Sequence, residues 1–164
     1  MALIIDTESD GFKYEAENIW CISAYNTNKS ELFVSSVVQR PKASYKYKDK
    51  LLKHLPITDM LREIMTHDKI VGHNLLQHDY PLIRKLYPWF QLDIPNQVDD
   101  TMIMSSLLNP DIEGGHSLEA WGKRLHSYKG DYHDFSEYKD EMLDYCIQDT
   151  LITAKIYRVL RSMI

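Results

Sequence analysis

The chain has 164 residues, 44% hydrophobic and 26% charged, with a net charge of −5 from 19 Lys and Arg against 24 Asp and Glu. That length fits one domain, residues 1–164, which buries roughly two-thirds of its unfolded surface without a disulfide or structural metal, and the acidic balance excludes a protein that coats nucleic acid through bulk positive charge. The two cysteines, Cys21 and Cys146, lie far apart in sequence with no CxxC pair, which excludes a zinc ribbon or disulfide scaffold, and no apolar run reaches the ~20 residues of a membrane span.

Ala2-Leu3-Ile4-Ile5 is a buried strand that ends in Asp6, followed by the turn-like Thr7-Glu8-Ser9-Asp10-Gly11. No basic region precedes that apolar run, so a secretory signal is not expected, and the free cysteines suit a reducing cytoplasm. Residues 19–26 and 31–38 are strand-like around the polar turn Asn26–Lys29, giving three antiparallel strands. Residues 40–53 carry Arg40, Lys42, Lys46, Lys48, Lys50 and Lys53 against Asp49 alone, a segment of +5 on a remainder of −10. Its first part, 40–50, reads as loop.

Ile57, Met60, Leu61, Ile64 and Met65 share one face of a helix over 57–66. A short strand over 69–73 leads into a helix from Asn74 to about Leu86, broken before Pro88. Residues 98–100 end a strand, and a helix runs from Thr101 to Leu108. Ser117 caps a helix carrying Leu118, Trp121 and Leu125, and the last helix spans about 136–163. The order βββαβαβααα predicts an α/β fold, a mixed central sheet with helices packed on it. Working residues in such sheets sit at strand ends.

Three segments put acids where a packed domain would not ordinarily want them. Asp6 and Glu8 lie two apart on a strand, hence on one face, and repel unless a cation lies between them; such oxygen pairs suit Mg²⁺ or Mn²⁺. Asp79 follows His73-Asn74 near a helix start, where a carboxylate also favours the dipole and Asn74 also suits an N-cap. Tyr145 and Asp149 are four apart on the last helix, on the face that continues through Ile152, Ile156 and Leu160. Taken singly, each has an ordinary reading: a solvated pair, a dipole contact, a Tyr–Asp hydrogen bond.

Together, IIDTESDGF, VGHNLLQHDYPLI and YCIQD resemble the three motifs of the DEDD superfamily of 3′→5′ exonucleases, which implies an RNase H-like fold. Tyr-x-x-x-Asp resembles the tyrosine subclass; the histidine subclass would place His at 144, where this chain has Asp144. The longer stretch 107–160, with GGHSLEAWGKRL and YKGDY, is similar to the proofreading exonuclease domain of phage family A DNA polymerases. The resemblance covers Leu3 to about Leu160 and departs at His78, where the family usually has Tyr or Phe. It leaves no residues for a polymerase, so the expectation is a stand-alone, phage-encoded, monomeric enzyme acting in the cytoplasm on single-stranded DNA or DNA 3′ ends. Proofreading would then serve a separately encoded DNA polymerase.

The resemblance implies two divalent ions, Mg²⁺ or Mn²⁺, held by Asp6, Glu8, Asp79 and Asp149, with Asp6 bridging both and Tyr145 orienting the attacking water. It implies nucleoside 5′-monophosphate products and a supporting role for Asp100 behind the metal cluster. Substrate contacts are expected from Thr7, Ser9, Phe12, Asn74 and His78. Phe12 is the candidate wedge, and Lys46, Lys48 and Lys50 are candidates to track the backbone, interleaved with Tyr45 and Tyr47. Two rivals remain: an RNA 3′→5′ exonuclease, which shares fold and tetrad, and a non-catalytic module docking onto a replication complex.

Overall fold

The computed structural model describes residues 2–12 and 14–164. Among these, strands β1 (Leu3–Ser9), β2 (Ile19–Asn26), β3 (Glu31–Ser36), β4 (Ser44–Tyr47), β5 (Lys50–Leu55), β6 (Ile70–Gly72) and β7 (Val98–Asp100) form one mixed sheet. Their order is β4-β5-β3-β2-β1-β6-β7. β1, β2 and β3 make the expected antiparallel meander, while β6 joins β1, β7 joins β6, and β5 joins β3 in parallel. Asn26 closes the β2–β3 turn by accepting the Asn28 and Lys29 amides at 3.0 and 3.2 Å, an Asx turn. The mixed sheet with helices on both faces agrees with the RNase H-like fold that the motif resemblance implies.

β1 is covered on both faces, so its apolar run carries no polar alternation at its start. Leu3 and Ile5 pack with Ile22, Ala24 and Phe33 against α1 (Ile57–Met65) and α2 (Tyr80–Leu86). On the opposite face Ala2 and Ile4 meet Val71, Ala154 and Tyr157. The last two belong to α6 (Asp140–Ser162), the longest helix, whose N-terminal half packs Met142, Leu143, Cys146 and Ile147 on Cys21 and Val34. Its C-terminal half packs Ile152, Ile156 and Leu160 on Trp121 of α5 (Leu118–Arg124). Each fully buried Leu or Ile in these clusters contributes about 1.5–3 kcal/mol relative to exposure.

Several elements differ from the sequence expectation. Segment 40–50 is not a loop: β4 and β5 form a hairpin with register Tyr45↔Leu52, Lys46↔Leu51 and Tyr47↔Lys50. Tyr45, Tyr47 and Leu52 face α6, and the lysines between them conceal that alternation. Lys48 turns the tip at φ 53°. The last helix starts at Asp140 rather than 136, because Asp134 accepts the Ser136 amide at 3.2 Å and the Lys139 ammonium at 3.1 Å, holding that stretch as a turn. A single helical turn, α3 (Ile94–Gln97), precedes β7.

The stretch from Asn74 is also not a continuous α-helix. Asn74 sits in the left-handed region at φ 61° with no side-chain cap, and Leu75–Asp79 form a π turn before α2 begins. Asp100 organises it. Its carboxylate accepts the amides of Asn74 and Leu76, each at 3.0 Å, and that of Met102 at 2.9 Å. Asp100 is thereby the N-cap of α4 (Thr101–Leu108) and the clasp of the π turn at once. Gly72 is needed beside it, since a Cβ there would lie 2.9 Å from Leu75 Cβ. Asp100→Ala is expected to destabilise the protein by about 2–3 kcal/mol, from a lost cap and uncompensated buried amides. Urea unfolding measures this, and a change under 1 kcal/mol would contradict the clasp.

Candidate active site

The site forms where the end of β1 meets the N-terminal half of α6. Asp6 and Glu8 continue the Ala2–Ile4 face of β1, so both project toward α6. Cys146 of α6 lies against Asp6, its thiol donating to the Asp6 carbonyl at 3.3 Å and to Oδ2 at 3.4 Å. Donor atoms of Asp6, Glu8 and Cys146 all fall within 4.8 Å of one another. The two cysteines, remote in sequence, meet here as free buried thiols. Asp149 lies one turn beyond Tyr145 and is buried. Asp79, at the end of the π turn, is buried too and accepts the Thr7 hydroxyl at 3.0 Å.

These carboxylates feel one another. Burial, then Asp79, raises the Asp6 carboxyl to about 7, only partly offset by bonds from Glu8 and Cys146. Burial, then Asp6, pushes Glu8 well above the usual carboxylate range. Burial raises Asp79 to about 7 against the lowering Thr7 bond, with Asp100 and Asp149 adding to the rise. Burial and Asp6 raise Asp149 to about 8, despite Lys129. Asp149 Oδ1 is buried with no hydrogen-bond partner, a position a packed domain rarely leaves uncompensated. Asp6 and Glu8, with the Cys146 thiol, are close enough to share one ion, while Asp79 and Asp149, the latter with its orphaned oxygen, act on them through their charge; the carboxylate oxygens suit a hard divalent cation.

The cation nearest the cluster escaped the sequence reading. Lys129 Nζ donates to the Tyr145 hydroxyl at 2.6 Å and stands 3.6 Å from Asp149 Oδ2. Its sequence signal is its place in the YKGDY stretch beside Gly130, whose missing side chain admits the chain against Tyr145: a Cβ there would lie 3.1 Å from the Tyr145 ring.

The expected substrate residues separate into groups. Phe12 is exposed (75%) and meets the His78 ring edge-on at 6.4 Å. With Tyr14, Asn74 and Gln77 these two line a cleft. His78 Nε2 lies 3.9 Å from Asp79 Oδ1. Thr7 and Ser9 are buried, the first engaged with Asp79 and the second donating to the Gly11 carbonyl at 2.7 Å. Asp100 reaches the cluster through the π-turn backbone. Of the lysines, Lys48 packs over the Tyr47 ring at 5.4 Å. Lys48 and Tyr47 line a cleft of about 300 Å³ that extends to Tyr145 and Gln148. Lys50 sits opposite Tyr47, whereas Lys46, between Tyr45 and Tyr47, points to the other face of the hairpin.

The model of the 3′-5′ exonuclease family of A-type DNA polymerases matches residues 2–164. The chain belongs to that family. It is similar to the DNA-directed DNA polymerases of Escherichia phage T7 and Enterobacteria phage T3, each 27% identical in a 140-residue alignment covering 61% of this chain and 20% of the relative. It therefore spans about a fifth of the length of these relatives. The exonuclease family depends on divalent metal, and Asp6, Glu8 and Cys146 form a group that could hold an ion. Among the described residues, no helix is long and apolar enough to cross a membrane.

The raised carboxyls carry a sign. In metal-free protein they bind protons at pH values where the unfolded chain has released them, so folding stability falls as pH rises from about 4 toward 8. Melting in EDTA is expected to drop by on the order of 5 °C or more between pH 5.5 and 8, and Mn²⁺ should restore it at pH 8 while doing little at pH 5.5. A flat EDTA profile, or equal stabilisation at both pH values, would contradict the assignment.

Proposed function

We propose that the chain is a metal-dependent 3′→5′ exodeoxyribonuclease that hydrolyses single-stranded or frayed DNA to nucleoside 5′-monophosphates. The carrying observation is the orphaned, buried Asp149 Oδ1 beside three further carboxylates whose charge is suppressed by burial and mutual repulsion. Once ionised, and without cations, this cluster would repel an anionic phosphodiester as well as itself. Asp6, Glu8, Asp79 and Asp149 would hold two ions, Mg²⁺ or Mn²⁺, which when bound acidify water and stabilise the charge that develops on phosphodiester oxygens.

The chain's own residues supply the rest. Thr7 fixes the Asp79 carboxylate, and Asp100 fixes the turn that carries it. Ser9 closes the turn that presents Phe12. Phe12 and His78 offer an exposed aromatic edge on which a terminal base can stack after leaving its neighbour, beside the amides of Asn74 and Gln77. That arrangement supports preference for unpaired ends, since a paired base must first be unstacked. Tyr145 provides the hydroxyl that orients the attacking water. Resemblance to phage polymerases supports DNA as the polymer and a proofreading role for a separately encoded polymerase.

A gel assay on matched DNA and RNA oligonucleotides labelled at the 5′ end, with Mg²⁺ or Mn²⁺, tests the reading. A ladder shortening from the 3′ end of DNA is expected, abolished by EDTA and reduced at least about 10³-fold by Asp6→Ala or Asp149→Ala. Cleavage of RNA alone would transfer the mechanism to the other polymer. Cleavage of neither, by folded metal-binding protein, would favour a docking module.

The hairpin gives a separate expectation. Lys48→Ala with Lys50→Ala should weaken single-stranded DNA binding and reduce the slope of log K against log salt by about 1–1.5. Lys46→Ala, on the opposite face, should leave the slope unchanged. Equal effects of all three would show that bulk charge, not the cleft beside Tyr47, attracts the polymer.

A further inference from the structure

We propose that Lys129 is a positioning residue that fixes the direction of the Tyr145 hydroxyl, so that the phenol serves the reaction as a hydrogen-bond donor. The inference rests on the exonuclease reading above. An ammonium only donates, so at 2.6 Å the Tyr145 oxygen must accept from Lys129. The tyrosine's own proton is thereby turned away from the lysine. The ring has little other freedom. Tyr132 and Phe135 pack on it with centroids at 6.1 and 6.2 Å, the Lys129 ammonium lies 5.0 Å from its centroid, and Gly130 touches its edge. Rotation about the C–O bond is what remains, and Lys129 decides it.

Lys129 is itself held by a short strap laid along α6. Ser127 donates its amide to the Gly122 carbonyl at 2.8 Å. A Cβ on Gly122 would stand 2.7 Å from the Ser127 carbonyl oxygen, so that glycine is what permits the approach. Lys155 donates to the Ser127 hydroxyl at 3.0 Å, and Gln148 donates to the Tyr128 carbonyl. Three consecutive residues before Gly130 are thus each tied to a neighbouring element. The side chain of Lys129 remains 30% exposed, so its replacement need not unfold the core. Its 3.6 Å approach to Asp149 Oδ2 places the same charge beside the buried carboxylate. Tyr145 and Asp149 are therefore tied to one another through a single ammonium.

The test compares Lys129→Met, Lys129→Arg, Tyr145→Phe and the Lys129→Met/Tyr145→Phe double variant in steady-state DNA hydrolysis. Lys129→Met should lower kcat about 10- to 100-fold with KM changed less than about threefold. Lys129→Arg should recover most of the loss. In the Tyr145→Phe background the same lysine replacement should cost less than about twofold, because its partner is already gone. A full loss repeated in that background, or a rise in KM alone, would overturn the proposal and make Lys129 a direct substrate contact.

A second readout needs no activity. In protein labelled with 3-fluorotyrosine, the ¹⁹F signal absent from Tyr145→Phe should shift in Lys129→Met and stay near its original position in Lys129→Arg. An unmoved signal in Lys129→Met also overturns the proposal. Wild-type protein inactive on both DNA and RNA would sink the exonuclease reading, while the ¹⁹F comparison would still decide whether Lys129 sets the phenol. Where Lys129→Met fails to melt cooperatively, Lys129→Gln takes its place in both measurements.

Discussion

Mutual repulsion among Asp6, Glu8, Asp79 and Asp149 is the constraint around which the rest of the molecule is organised. No local preference would bring these groups together, and burial raises the cost. The apolar contact between β1 and α6 overcomes it: Ala2, Ile4 and Val71 beneath Ala154 and Tyr157 hold strand and helix in register. The same face then carries Asp6 and Glu8 past the end of that contact, toward Cys146. Polar contacts beneath the acids stiffen the junction, with Ser23 of β2 meeting both the Cys146 carbonyl and the Thr150 hydroxyl. The strain of gathered charge is thus opposed by hydrophobic area that lies elsewhere along the same two elements.

How much of this was readable in the sequence follows from what each feature depends on. The β1 run, the meander and the amphipathic face of α1 depend on local periodicity and are where the sequence put them, except that β1 continues through Thr7, Glu8 and Ser9, which read as a turn. The β4–β5 hairpin was concealed because its inward residues are tyrosines set among lysines, and charge density outweighs a period-two pattern of only four residues. The π turn depends on Asp100, 24 to 26 residues away in the chain, taking two of its amides. No window around Asn74 contains that information.

The site divides in the same way. Asp6, Glu8, Asp79, Tyr145 and Asp149 stand out in the sequence because three motifs occur in a fixed order. Lys129 does not, because a lone lysine in a polar loop resembles any solvated charge until the fold lays its strap on α6. Cys146 was hidden for a related reason: adjacent to Tyr145 in sequence, it points inward to Asp6 while the tyrosine points to the cleft. Of the hairpin lysines, Lys48 lines the cleft and Lys50 pairs with Tyr47, and only the register sets Lys50 apart from Lys46.

The π turn has a bearing on which changes the chain can accept. It holds one more residue than the α-helical turn it replaces, and Asp79 sits at its end. Removing one residue between Asn74 and Asp79 would rotate that carboxylate by roughly 100° about the helix axis and draw it back about 1.5 Å. Replacement of side chains here is therefore a milder event than a change of length. The hairpin tip at Lys48 and Asp49, carried by β4 and β5, stands at the other extreme. Among relatives of this fold, insertions and deletions should accumulate at the tip and be rare in the turn.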